Sequence, residues 1–167
     1  FNIDGLGKKV IDQFWQLKLI KNPSDIFELD FNKIKKLEGW GNLSVQNLKL
    51  AIDKAKNISL NKFIYSIGIR HIGQENAKIL AGFFKSIDQF SNMLDKTNKD
   101  EILENLKDLD GIGETQIFSL TNFFSNNLNV KIVKNLITKL HIQNFREINT
   151  KGKLSNTNIM FTGSFEK

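Results

Sequence analysis

No cysteine occurs in the chain. Disulfides, thiolate metal sites and cysteine nucleophiles are therefore excluded within it, in keeping with an expected cytoplasmic setting. Proline is nearly absent. Its one copy, Pro23, is expected in a connector, so no proline breaks a helix from within. No apolar run approaches the roughly 18 residues needed to cross a membrane. No basic-then-apolar segment opens the chain, so neither a span nor a secretory signal is expected. The first residue is Phe1 rather than Met, which reads as a piece of a longer protein.

What remains is a soluble composition of 167 residues with a formal net charge of +6. That length allows one domain, or one domain and a fragment. The basic excess favours polyanionic partners. It is scattered along the chain and forms no tail.

A short pattern repeats: apolar, any residue, Gly, apolar, Gly. It stands at Ile3-Asp4-Gly5-Leu6-Gly7, Leu37-Glu38-Gly39-Trp40-Gly41 and Leu109-Asp110-Gly111-Ile112-Gly113. A degenerate copy, Ile69-Arg70-His71-Ile72-Gly73, has His71 in place of the first glycine. Four residues past the second glycine come Ile11, Val45, Ala77 and Ile117; seven past it come Phe14, Leu48, Leu80 and Leu120. These spacings put both sets on one helical face, turned to a core. Each glycine pair is thus expected to open a helix.

Apolar stripes at Leu60, Phe63, Ile64 and Ile67, and at Ile102, Leu103 and Leu106, predict helices leading into the later copies. Helix, tight turn, helix, four times over, predicts an all-α domain of four helix-hairpin-helix motifs. Ser86-x-x-Gln89 reads as a capping box before Ile87, Phe90 and Leu94. Asp25-x-x-Glu28 is a related start signal, and Val133, Leu136, Ile137 and Leu140 predict a further helix. Residues 1–145 are read as this domain, and 146–158 as a polar linker. Residues 159–167 are read as the truncated start of an α/β domain, opening on the strand Ile159-Met160-Phe161-Thr162-Gly163.

The first glycine of each copy permits a sharp turn with positive φ. The second lies at a helix start, where backbone N–H groups lack intrahelical partners and carry the positive end of the helix dipole. Without a Cβ, a phosphate oxygen can come close. Such a site holds phosphate and reads no base. The expected duplex DNA contacts are Gly5, Gly7, Lys8, Lys9, Gly39, Gly41, Asn42, Ser44, Arg70, His71, Gly73, Gln74, Gly111, Gly113 and Thr115. Gln116 stands beside them. Glu75 and Glu114 suit the helix dipole but repel phosphate, so the four hairpins are expected to grip unequally.

No catalytic residue and no metal site is expected. His71 has no nucleophile or carboxylate partner in view, and a turn position that contacts DNA or caps locally accounts for it. His141 reads as a helix-end residue. Asp4, Glu38 and Asp110 share one hairpin position suited to turn hydrogen bonding. Trp40 reads as a buried turn anchor, and Phe83-Phe84 and Phe123-Phe124 read as core. A stand-alone DNA-binding or scaffold module of repair or recombination is the competing function. A lesion-removing glycosylase would need a catalytic Lys or Asp beside one hairpin and a base pocket.

The stretch from Leu37 to Leu48, with Gly68-Ile69-Arg70-His71-Ile72-Gly73 and Asp110-Gly111-Ile112-Gly113, resembles the bacterial NAD-dependent DNA ligases. Ile3-Asp4-Gly5-Leu6-Gly7 matches that family's first hairpin, and the resemblance runs the whole chain in order. It implies a nick-sealing parent enzyme of replication and repair, acting as a monomer on nicked double-stranded DNA. It also implies an adenylation domain with the catalytic lysine and NAD site, magnesium, and a four-cysteine structural zinc module, all outside this chain. Residues 159–165 would begin a BRCT domain, with Thr162-Gly163 starting its anion-binding turn. The lysine nucleophile motif is absent here, no NAD-binding residues are identifiable, and Asn42 stands where relatives commonly have an acidic residue. The piece alone is expected to be inactive.

Overall fold

The computed structural model describes residues 1–146. The expected linker from 147 onward and the expected strand at 159–163 lie outside them. Among the described residues the chain is mostly helical. It runs through α1 (Lys8–Gln16), a 3-10 turn (Pro23–Glu28), α2 (Phe31–Ile34), α3 (Asn42–Ala55), β1 (Asn57–Ser59), α4 (Leu60–Ser66) and α5 (Gln74–Phe84). Then come α6 (Ile87–Ser91), a second 3-10 turn (Asn92–Leu94), α7 (Lys96–Leu106), α8 (Glu114–Ser125), α9 (Asn127–Lys139) and β2 (His141–Gln143).

The spacing of apolar residues explains which faces are buried. Phe14, Leu48, Leu80 and Leu120, one from each helix that follows a glycine pair, are all at most 1% exposed. The set three residues earlier is less uniform. Ala77 and Val45 are buried, Ile117 is half-buried, and Ile11 is 37% exposed. So Ile11 does not face the core as expected. It lies at the margin of the fold, where α1 has fewer neighbours to cover it.

Phenylalanine builds the centre. Phe90 of α6 meets Phe63 of α4 at 6.1 Å, Phe84 of α5 at 5.2 Å and Phe124 of α8 at 5.9 Å between ring centroids, all near edge-to-face. Such pairs each add about 0.5–1.5 kcal/mol beyond area burial. Ser86 Oγ accepts the Gln89 N–H at 3.3 Å and starts α6, which is one half of the expected capping box; the Ser86 N–H donates to the Phe84 carbonyl and not to Gln89.

Three local expectations are corrected. Asp25 is not a helix start. Asn22 caps the first 3-10 turn, accepting from the Ser24 N–H, and Asp25 reaches back to the Asn22 N–H. Pro23 opens that turn and does not lie in a plain connector, because its missing N–H is one the first turn leaves unpaired anyway. The fold is also not purely helical. β1 and β2 pair in parallel, Ile58 opposite Ile142, and the His141 N–H donates to the Lys56 carbonyl at 2.8 Å. His141 is thus the first residue of a strand. Beyond it, the Phe145 N–H donates to the Lys85 carbonyl at 2.9 Å, tying the end of the described chain to α5.

Candidate nucleic-acid interface

All four copies of the pattern form the same turn. The N–H of the apolar fourth residue returns to the carbonyl of the apolar first: Leu6 to Ile3, Trp40 to Leu37, Ile72 to Ile69 and Ile112 to Leu109, at 3.0–3.2 Å. The third residue is left-handed each time, at φ +79° in Gly5, +82° in Gly39, +61° in His71 and +85° in Gly111. The degenerate copy therefore keeps the turn, with a histidine forced into the conformation that glycine adopts freely.

Each turn delivers an extended glycine to the N-cap of a helix: Gly7 to α1, Gly41 to α3, Gly73 to α5 and Gly113 to α8. A glycine cap has no side chain to accept from the first turn; in α1 and α8 the third-residue N–H turns back to the cap carbonyl, Val10 to Gly7 and Gln116 to Gly113. Helices α2, α4 and α7 precede the second, third and fourth turns. Among the described residues no helix precedes the first turn, so helix, turn, helix is complete there only on one side.

Every one of the 15 expected contact residues is exposed, from Gly5 and Gly7 to Gly113 and Thr115. The apolar residues between the glycines point inward. Ile72 and Ile112 are buried, and Leu6 and Trp40 are half-buried. Trp40 lies 5.4 Å from Phe14 between ring centroids, and its indole N–H donates to Gln13 Oε1 at 3.2 Å. Its role as a turn anchor follows, since both its face and its N–H are engaged by α1.

The turns are not equivalent. At the third position of α5, Asn76 Oδ1 accepts the Gly73 N–H at 3.3 Å; in α8, Gln116 Oε1 accepts the Gly113 N–H at 3.1 Å. Those two amides are committed within the protein. Val10 and Ser44 hold the same place in α1 and α3, where no capping box forms. A glycine followed three residues later by Asn or Gln was the readable signal for this difference.

Asn76 also joins two turns, because its Nδ2 donates to the Gly111 carbonyl at 2.9 Å. Elsewhere Asp4 of the first turn and Gln74 of α5 line one hollow with Lys54 and Lys62. The third and fourth turns are thus joined by a hydrogen bond, and the first borders a hollow shared with the start of α5. The second is fastened to α1 through Trp40. No helix among the described residues is long and apolar enough to cross a membrane.

A family model described as the helix-hairpin-helix motif matches residues 62–133, which hold the third and fourth turns. The DNA ligase of Pelagibacter ubique (strain HTCC1062) is 50% identical over 163 residues, covering 98% of this chain and 24% of that protein. The DNA ligases of Rickettsia bellii (strain OSU 85-389) and Rickettsia rickettsii (strain Sheila Smith) are 39% and 38% identical, again over 98% of this chain and 25% of theirs. The chain is similar to DNA ligases over nearly all of its own length and spans about a quarter of theirs.

Proposed function

We propose that this chain is the duplex-holding part of a bacterial NAD-dependent DNA ligase, the enzyme that seals nicks in replication and repair. The observation that carries this reading is the fourfold recurrence of one turn geometry, each turn placing an exposed glycine at the start of a helix. On this reading residues 1–145 form a domain of four helix-hairpin-helix motifs. Residues 146–158 are a linker, and 159–167 begin a BRCT domain.

Each helix start offers backbone donors and a positive dipole end to one phosphate. The grip is electrostatic and blind to sequence. Gly7 and Gly41, whose amides no capping box engages, hold phosphate through backbone, supported by Lys8, Lys9, Asn42 and Ser44. Gly73 and Gly113 have spent their own amides, so the third and fourth turns rely more on Arg70, His71, Gln74 and Thr115. Gly5, Gly39 and Gly111 shape their turns and let the backbone approach. The parent acts in the cytoplasm as a monomer on nicked double-stranded DNA. NAD, magnesium and structural zinc belong to its other parts, and this chain alone does not join DNA.

The coding sequence upstream of Phe1 tests the ligase assignment. A four-cysteine module, and before it a lysine nucleophile motif, must precede this chain. If the reading frame instead holds neither, a stand-alone DNA-binding module of repair or recombination takes its place.

A further inference from the structure

Asn2 has a φ of +45°, and Gly68 one of +74°. The two stand at one register, each directly before the first residue of a copy, Ile3 or Ile69. At Gly68 the cause is visible. Helix α4 ends at Ser66, Ile67 caps it, and Gly68 is the left-handed residue just past the cap. Such a residue is a common helix ending, with glycine the usual choice and asparagine an occasional one. Lys36 and Asp108 hold this register in the second and fourth copies and are not left-handed. Phe1 stands where Ile67 does, and both are half-buried against the core. The first copy therefore carries the backbone signature of a helix end, in the form that the third copy shows.

The surface of α1 fits that reading. In the third copy α4 packs along α5. Four and eight residues past the second glycine, Ala77 and Ala81 of α5 are both 0% exposed. Ile11 and Trp15 hold the same two places in α1, one turn apart on one flank, and are 37% and 58% exposed. Gln13, which holds the Trp40 indole, points to the opposite side of the helix, so the second turn does not cover them. Lys49 and Thr121, the counterparts of Trp15 in the second and fourth copies, are polar. The shared turn thus does not call for an indole at this place.

We infer that the polypeptide immediately preceding Phe1 in the parent protein is an amphipathic helix that packs on α1 against Ile11 and Trp15, as α4 packs on α5. It completes the first hairpin. The inference rests on the proposed function, in which other parts of the parent precede this chain. The chain spans only about a quarter of the DNA ligases it matches, so there is polypeptide to supply the helix. A second copy of the chain is a poorer occupant. Two side chains fall far short of the roughly 800 Å² per partner of a stable dimer. They suffice for a helix attached at Phe1, because attachment turns association into a local step. The first turn is then held on both sides, like the other three, and fixed to what precedes it.

The test oxidises accessible tryptophans and locates the products by mass spectrometry. It compares the 167-residue chain, the same chain extended upstream by about 20 residues, or some five helical turns, and the parent enzyme. Trp40 is the internal reference. Trp15 is expected to react several-fold more slowly in the two longer proteins, with Trp40 unchanged and the helical circular dichroism of the extended chain raised. Trp15→Gln should leave the Tm of the shorter chain unchanged, since the ring is exposed there, and lower that of the extended chain by a few degrees. Equal reactivity of Trp15 in all three proteins would overturn the inference. Protection in the parent alone would assign the cover to a remote part and overturn it too. So would protection in the shorter chain that grows with its concentration, which would assign the cover to a second copy. If the reading frame upstream of Phe1 held no ligase sequence, the proposed function would itself have failed, and this inference with it.

Discussion

Asn76 and Gly111, 35 residues apart in sequence, join the third and fourth turns, Asn76 Nδ2 donating to the Gly111 carbonyl at 2.9 Å. The same side chain holds the Gly73 N–H through its other atom. One amide therefore sets the spacing of the third and fourth turns. Asn76→Ala removes both bonds. Asn76→Asp keeps the acceptor for Gly73 but aims a carboxylate at a carbonyl. Each variant is expected to lose about 1 kcal/mol of stability, near the usual net worth of a hydrogen bond. Urea unfolding checks this, and an unchanged midpoint in both would remove Asn76 as a strut.

Gly111 and Gly39 have nearly the same backbone but different neighbours. A Cβ on Gly111 would lie 2.6 Å from Ile79 Cδ1, whereas one on Gly39 would meet nothing within 4 Å. Gly39→Ala should cost only the left-handed strain, about 1–2 kcal/mol. Gly111→Ala should cost that plus about 1 kcal/mol, held down because Ile79 can turn its terminal methyl aside. In an Ile79→Val background, which lacks that methyl, the two substitutions should cost the same. Urea unfolding of the double variant decides it.

His71 occupies a φ of +61°, where the other three turns have glycine. His71→Gly should relieve that strain and be stabilising by about 0.5 kcal/mol, the gain being trimmed by glycine's greater freedom when unfolded. Duplex affinity should fall modestly, since an exposed side chain beside Arg70 is lost. Stability rising while binding weakens is the expected pair of results, and calorimetry with a parallel DNA titration reads both.

Much of this was legible because backbone geometry demanded particular residues. A left-handed third position called for Gly5, Gly39 and Gly111, and a buried face called for Phe14, Leu48, Leu80 and Leu120. Ile11 had the right spacing but too little protein to pack against, which spacing alone does not reveal. β1 and β2 escaped notice because three residues are too few to display alternation, and their pairing joins Asn57 to His141, far apart in sequence. The committed amides of Gly73 and Gly113 were readable as glycine caps followed by Asn76 and Gln116. The tie from Asn76 to Gly111 was not, since it depends on how two turns meet in space.

The most direct test of the account is the salt dependence of duplex binding by this chain and by its Gly41→Val variant, measured on several unrelated sequences. The chain should bind all of them alike, with affinity falling steeply as salt rises. Each phosphate held should contribute about 0.9 to the magnitude of the log–log slope. Gly41→Val should weaken binding to every sequence equally and lower the slope by about one such contact. An absence of duplex binding at low salt, or a strong preference for one sequence, would contradict it.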